Sequence, residues 1–222
     1  MFESKAKAYL ALYNAAMLAE WGLVGATIAR HFATGGAVST LFPAVRVRVR
    51  RLLFLSCLEI VHAALKLVRS PVATTATQCL VRLASFVGAM DLGSAAVAQS
   101  GFCAATMVAW TLSELIRYGF YLSGLVARTP GWLTWLRYSA FIVLYPIGIA
   151  GEMGSFYKAV PYVRETGVGS IRMPNAVNFA FDYGNAILAL LVCAYPPGGW
   201  SMFQYMLAQR RKVLGATPPA SS

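Results

Sequence analysis

The sequence predicts an all-α, polytopic membrane protein, with six transmembrane helices in one bundle, and three observations lead there. Of its 222 residues, 58% are hydrophobic and 12% charged, against about 45–50% and about 25% in soluble globular domains. The apolar residues gather into runs near the ~20 residues needed to span a bilayer. Short breaks carrying arginine, proline or glycine separate those runs. Open strands would leave backbone groups unpaired in lipid, so the spans are expected to be helices.

The first segment, Tyr9–Ile28, stops at Arg30-His31. Lys5 and Lys7 precede it as in a signal peptide, but Glu20 inside the run and a length beyond the usual signal core favour a span. The second, Leu52–Val68, lies between Arg51 and Arg69-Ser70-Pro71. The third covers Leu80–Ala98 and the fourth Phe102–Val126. The fifth begins at Trp132 and continues to Tyr157. The sixth joins Tyr183–Tyr195 to Trp200–Leu207 across Pro196-Pro197-Gly198-Gly199, which either kinks one span or ends it. Residues 1–215 thus read as one membrane domain, and 216–222 as a disordered tail.

Net charge is +11, from 19 basic and 8 acidic residues. Arg46, Arg48, Arg50 and Arg51, then Arg210, Arg211 and Lys212, cluster at segment ends. They serve either to anchor the chain at anionic headgroups or to capture a phosphorylated substrate such as an acyl-CoA. No basic stretch belongs to a recognisable nucleic-acid reader, so no nucleic-acid partner is expected. Basic residues divide evenly between the two sides of a six-span chain, and only the local Arg210-Arg211-Lys212 favours cytosolic termini. Cys57, Cys79, Cys103 and Cys193 form no C-x-x-C pair and only two histidines are present, which argues against a structural zinc site or disulfide framework. No cysteine stands in a Cys-x5-Arg arrangement, so phosphatase chemistry through a cysteine nucleophile is not supported.

Ionisable groups inside apolar spans need partners or a function. Glu59, His62 and Lys66 share a face of the second segment; Arg82 and Asp91 belong to the third; Glu114, Arg117 and Tyr118 lie close on the fourth; Asp182 and Tyr183 open the sixth. Glu59, Arg82, Glu114 and Arg117 read either as ion pairs that hold helices together or as groups with a function, since buried charges need partners in both cases. His62 reads as a hydrogen-bonded structural histidine. Tyr145 and Glu152 differ in context. They lie in Leu144-Tyr145-Pro146-Ile147-Gly148-Ile149-Ala150-Gly151-Glu152, nearly two helical turns apart and hence on one face. A phenol and a carboxyl sharing a face can divide proton donation and removal between them. Pro146, Gly148 and Gly151 open that face to a substrate, or simply let helices pack closely. Two straight turns separate the Cα atoms by about 10.5 Å. Either the helix bends at Pro146 or the side chains lean together.

An ordered set of motifs runs along most of the chain: Tyr9-Leu10-Ala11-Leu12-Tyr13-Asn14, Leu58-Glu59-Ile60-Val61-His62, Gln78 with Arg82, and Trp110 through Tyr118. Arg137-Tyr138-Ser139-Ala140-Phe141, the Leu144–Glu152 run, Ser170 through Asn175, Phe181-Asp182-Tyr183 and Gln209 through Leu214 complete it. In these the chain closely resembles the very-long-chain 3-hydroxyacyl-CoA dehydratases, also called protein-tyrosine phosphatase-like A proteins. Glu20 and Lys66 depart from the pattern, each standing at a usual glycine, and no dilysine retrieval signal ends the chain.

The resemblance implies a six-span endoplasmic reticulum membrane enzyme with cytosolic termini. It implies the third step of fatty-acid elongation: dehydration of a long-chain (3R)-3-hydroxyacyl-CoA to trans-2-enoyl-CoA. The catalytic tyrosine and glutamate map to Tyr145 and Glu152. No metal or organic cofactor is implied. Expected partners are membrane lipid and the other elongation enzymes: condensing enzyme, ketoreductase and enoyl reductase. Elimination needs a base for the C2 proton and an acid for the leaving hydroxyl. Glu152 as base with Tyr145 as acid is one assignment, and the reverse is its competitor. Glu114, Arg117, Tyr118, Arg137 and Tyr138 are supporting or substrate-binding candidates. A scaffold without turnover and a small transporter are the alternatives outside this class; the lack of paired repeats counts against the transporter.

Overall fold

Helix α1 (Phe2–Ala33) is followed by α2 (Val38–Ser56), which begins well before the predicted second span. Leu41, Phe42, Val45, Val49, Leu52 and Leu53 recur at helical spacing and are buried, so they form one continuous inward stripe. The arginines between them point outward. Arg46, Arg48, Arg50 and Arg51 therefore lie within a helix rather than at a segment end: Arg46 and Arg50 grip Asp91, and Arg48 lies 3.4 Å from Glu20. Residues within the described chain, 2–215, make up this computed structural model, and the predicted tail at 216–222 lies outside them.

A short helix, α3 (Leu58–Ala64), continues α2 after Cys57. It ends before Lys66, which takes a left-handed φ of 56° and leaves the face predicted to carry it with Glu59 and His62. The next helix starts earlier than predicted: α4 covers Val72–Ser85 and passes into a π-turn at Phe86–Met90. The chain breaks at Asp91 before the four-residue α5 (Ala95–Ala98), so Leu80–Ala98 is not one span. Next, α6 (Gly101–Val126) matches expectation, with Ser100 as N-cap accepting from the Cys103 amide at 3.1 Å. After α7 (Gly131–Ser139), α8 (Phe141–Thr166) runs unbroken through Pro146 and Pro161 to Gly167, whose φ of 71° ends it in the left-handed conformation. The last stretch is continuous: α9 (Tyr183–Ala189), a π-turn (Leu190–Ala194) and α10 (Tyr195–Leu214). Pro196-Pro197 lies in the first turn of α10, where missing amide donors are tolerated, so the Pro-Pro-Gly-Gly run does not end the span.

The fold is all-helical; among the described residues the one β feature is an isolated bridge, Ile171 to Phe181. Helix α6 is central, packed between α1 and α8. Trp21 and Val24 of α1, the α2 stripe, and Met107, Trp110 and Tyr118 of α6 form the core. Two stretches, Gly131–Thr166 and Tyr183–Leu214, are long and apolar enough to cross a membrane. The other predicted spans carry more polar residues, such as Glu20 in α1 and Glu114 with Arg117 in α6.

Candidate active site

Small residues bring α8 against α6. A Cβ on Gly151 would stand 2.3 Å from Thr106 Oγ1 and 2.8 Å from the Phe102 carbonyl, and one on Gly154 would collide with the Phe102 ring. The next residue, Glu152, is carried into the interior by this close approach and is only 8% exposed. A buried carboxyl needs hydrogen-bond partners. Glu152 has three, each from a different helix. Ser85 Oγ of α4 donates to Oε2 at 3.0 Å, the Tyr195 phenol of α10 to the same oxygen at 3.0 Å, and Trp110 Nε1 of α6 to Oε1 at 3.1 Å. All three are neutral donors. Only the Trp110 N–H is restricted to donating; the Ser85 and Tyr195 hydroxyls can donate or accept.

Tyr145, two turns earlier on α8, is half-buried and lines the same cavity of about 450 Å³. Its phenol donates to the Gly199 carbonyl at 3.3 Å, and its ring stacks on Phe203. Tyr145 and Glu152 are not bonded to each other. With α8 helical through Pro146, both reach one cavity by the direction of their side chains rather than through a helix break.

Above Glu152, towards the ends of α7 and α10, the cavity is walled by Gln78, Arg82, Arg117, Arg137 and Met206. Arg82 pairs with Glu114 and donates to Ser113 Oγ at 3.2 Å. Arg117 is fully engaged: it reaches Glu59 at 2.5 and 3.0 Å, Glu114 at 2.5 and 2.9 Å, and the Tyr118 phenol at 2.8 Å. Tyr118 in turn donates to Glu59 at 2.5 Å. The expected ion-pair reading of Glu59, Arg82, Glu114 and Arg117 corresponds to one connected cluster linking α3, α4 and α6. His62 is satisfied by the Tyr9 phenol at 2.9 Å.

Of the residues singled out from sequence, Tyr145, Glu152, Glu114, Arg117 and Arg137 share the cavity wall. Tyr118 and Tyr138 do not: Tyr118 is fully buried on Glu59, and Tyr138 packs edge-on against Phe120. Arg82 and Asp91 were placed in one span but part company, Arg82 to Glu114 and Asp91 to Arg46 and Arg50. Asp182 caps α9 by accepting from the Asn185 amide at 2.7 Å. Sequence reading did not single out Ser85, Trp110 and Tyr195 as site residues. Trp110 opens a motif already noted, and Tyr195 precedes the Pro-Pro-Gly-Gly run, but Ser85 stands in an ordinary apolar context. Among the described residues, no group of three or more His, Cys, Asp or Glu side chains forms a candidate metal site.

A helical bundle whose cavity pairs a buried, neutrally hydrogen-bonded carboxyl with a phenol defines a class of proteins suited to proton transfer on an apolar ligand. The chain belongs to the protein tyrosine phosphatase-like protein family, PTPLA, whose family model matches residues 53–216. It is 36% identical over 212 residues to very-long-chain (3R)-3-hydroxyacyl-CoA dehydratase 2 of Mus musculus, an alignment covering 96% of this chain and 83% of the relative. It is 40% identical over 219 residues to very-long-chain (3R)-3-hydroxyacyl-CoA dehydratase PASTICCINO 2B of Oryza sativa subsp. japonica, covering 96% and 95% respectively. Against PASTICCINO 2 of Arabidopsis thaliana, a dehydratase of the same description, identity is 36% over 210 residues, covering 94% and 93%. No solved structure matches the chain significantly.

Proposed function

We propose that this chain is a very-long-chain (3R)-3-hydroxyacyl-CoA dehydratase, a hydro-lyase that converts its substrate to trans-2-enoyl-CoA. The observation that carries the reading is the Glu152 carboxyl, held by three neutral donors on the wall of the cavity that Tyr145 also lines. Glu152 takes the C2 proton. The electron pair of that C–H bond passes through the thioester enolate to form the C2–C3 double bond, and the C3–O bond breaks. Tyr145 gives its phenol proton to the departing oxygen, which leaves as water. Proton return from Glu152 to Tyr145 through solvent resets the site. We take Glu152 as the base; the reverse, with a protonated Glu152 as acid, fits the same hydroxyl contacts, because Ser85 and Tyr195 can accept as well as donate. Tyr145 carries the complementary proton, resting on the Gly199 carbonyl.

The same reading makes the bundle a six-pass protein of the endoplasmic reticulum membrane: α1, α2–α3, α4 through Met90, α6, α7–α8 and α9–α10. Six passes put both termini on one side, proposed as cytosolic, and the arginine-walled end of the cavity faces that side. Large apolar side chains such as Leu12, Val47, Phe54, Trp132, Trp135 and Val192 are exposed, which suits lipid contact. The acyl chain leaves the cavity between helices into the bilayer. Condensing enzyme, ketoreductase and enoyl reductase of the elongation cycle are the partners that supply the substrate and use the product.

The direct test supplies detergent-purified protein with a long-chain 3-hydroxyacyl-CoA. Wild type is expected to release enoyl-CoA, and Tyr145→Phe and Glu152→Gln to lose it by at least about a hundredfold each, the scale of general acid–base contributions. Full turnover by either variant sinks the assignment.

A further inference from the structure

As the C2 proton leaves, negative charge moves from the carboxylate to the thioester oxygen. A donor fixed beside that oxygen is commonly the largest single contribution to such a step. Tyr145 and Glu152 are occupied with the two protons, so another group must meet the carbonyl. Resting on the dehydratase reading, we infer that Arg82 binds the thioester carbonyl oxygen and stabilises the enolate.

Three observations carry this. First, Arg82 lies one turn before Ser85 on α4, so it stands one turn from a residue that holds Glu152, on the same cavity wall. Its guanidinium sits 5.6 Å from the centre of the Trp110 ring, the ring whose N–H holds the other Glu152 oxygen. Second, Arg82 is fixed before substrate arrives. Nη1 is tied to Glu114, Nη2 to Ser113 Oγ, and the flat face to Trp110. Third, it keeps donors for a ligand. A guanidinium carries five N–H groups; two are engaged, which leaves three without acceptors among the described residues. The side chain is 30% exposed although it sits in the interior. The open donors of Arg82 are the complement of a carbonyl that gathers charge.

The other two arginines of the cavity fit less well. Each of Arg117's three nitrogens already donates to Glu59, Glu114 or Tyr118. Arg137 belongs to α7, before the break at Ala140, and lies further from Glu152 along the chain than Tyr145 does. It packs on Tyr121 and Tyr138 and is placed to meet the CoA end of the substrate.

The test combines rate with a carbonyl signal. Arg82→Lys keeps a cation for Glu114 but loses the planar fork. In detergent, kcat for dehydration of 3-hydroxypalmitoyl-CoA is expected to fall about a hundred- to a thousandfold, the scale for removing an oxyanion donor, and kcat/KM to fall equally. In parallel, infrared spectra are recorded of trans-2-hexadecenoyl-CoA labelled with carbon-13 at C1 and bound to Glu152→Gln. The carbonyl stretch is expected to lie below that of the free thioester and to return towards it in the Arg82→Lys, Glu152→Gln double variant. An unshifted stretch in Glu152→Gln overturns the inference even if the double variant does not fold. A slower Arg82→Lys enzyme with an unchanged carbonyl signal makes Arg82 purely structural and also overturns it. Wild type that dehydrates the thioester while Arg82→Lys keeps kcat within threefold leaves the dehydratase reading standing and removes Arg82 from it. A wild type inactive on the thioester brings down both.

Discussion

Gly151→Ala tests whether the close approach of α6 and α8 sets the geometry of the proposed base. The added Cβ would lie 2.3 Å from Thr106 Oγ1 and 2.8 Å from the Phe102 carbonyl oxygen. The hydroxyl can rotate away. The carbonyl belongs to the backbone of α6, and reaching even a tight 3.4 Å contact requires about 0.6 Å of separation. That is the difference between 3.4 Å and the 2.8 Å observed. The Trp110 Nε1 to Glu152 Oε1 bond is 3.1 Å and spans the same pair of helices one residue further along α8. Opened by that amount it passes 3.5 Å and ceases to be a hydrogen bond. Losing one bond to a charged group costs about 1.5–3 kcal/mol, which is roughly a ten- to hundredfold fall in kcat if it is realised at the transition state. Overpacking itself destabilises by about 1–3 kcal/mol. The assay measures kcat on a long-chain 3-hydroxyacyl-CoA together with thermal unfolding in detergent. Gly119→Ala is the control: a Cβ there meets nothing within 4 Å, and it should hold or slightly raise the unfolding temperature. Gly151→Ala with kcat within twofold of wild type would refute the link between helix spacing and the Glu152 cradle.

Two further outcomes follow from the same geometry. Tyr195→Phe removes one of two donors to Glu152 Oε2 while keeping the ring contact with Phe156; kcat should fall about tenfold with KM little changed, consistent with about 1.5 kcal/mol for a bond to a charged group, and an unchanged kcat would remove Tyr195 from the cradle. Arg117→Met leaves Glu59 without its cation and Glu114 with Arg82 alone, so it should destabilise the fold by about 3–5 kcal/mol; a detergent unfolding temperature equal to wild type would contradict the cluster's structural role.

Helix content and the Tyr145–Glu152 pair were legible because they depend on local pattern. An apolar run of spanning length has few alternatives, and Tyr145 and Glu152 share one helix face whose small residues set them apart from Glu59 and Glu114, which have arginine partners. Helix ends were misread where a charge looked like a boundary. Arg46, Arg48, Arg50 and Arg51 suggested a segment end, yet a helix buries one stripe and leaves the intervening arginines outside. The break at Asp91 was hidden in an apolar-looking stretch, and the arginines of α2 that pair with that carboxylate are distant in sequence. Likewise, nothing local marks Ser85. Its role arises only when α4, α6, α8 and α10 meet, 67 residues separating it from Glu152. Partners at that separation are products of packing, and one sequence carries no record of them.

The placement of charge explains why two polar networks coexist in one small bundle. An arginine bonded to Glu152 would hold the carboxylate strongly and weaken it as a base. Instead Glu152 receives only neutral donors, while the cations nearby are tied to other carboxylates, Arg82 to Glu114 and Arg117 to Glu59 and Glu114. The pairs Arg82–Glu114 and Arg117–Glu59 balance in charge, so the cluster adds no net charge beside the site. Trp110 separates the two networks: its N–H faces Glu152 and its ring meets Arg82. In the proposed reaction charge moves from the Glu152 side to the Arg82 side as the proton is taken. An interaction that strengthens along that path lowers the barrier, whereas one equal before and after does not. Keeping the arginine off the base and beside the proposed carbonyl position is the arrangement that makes the difference favourable.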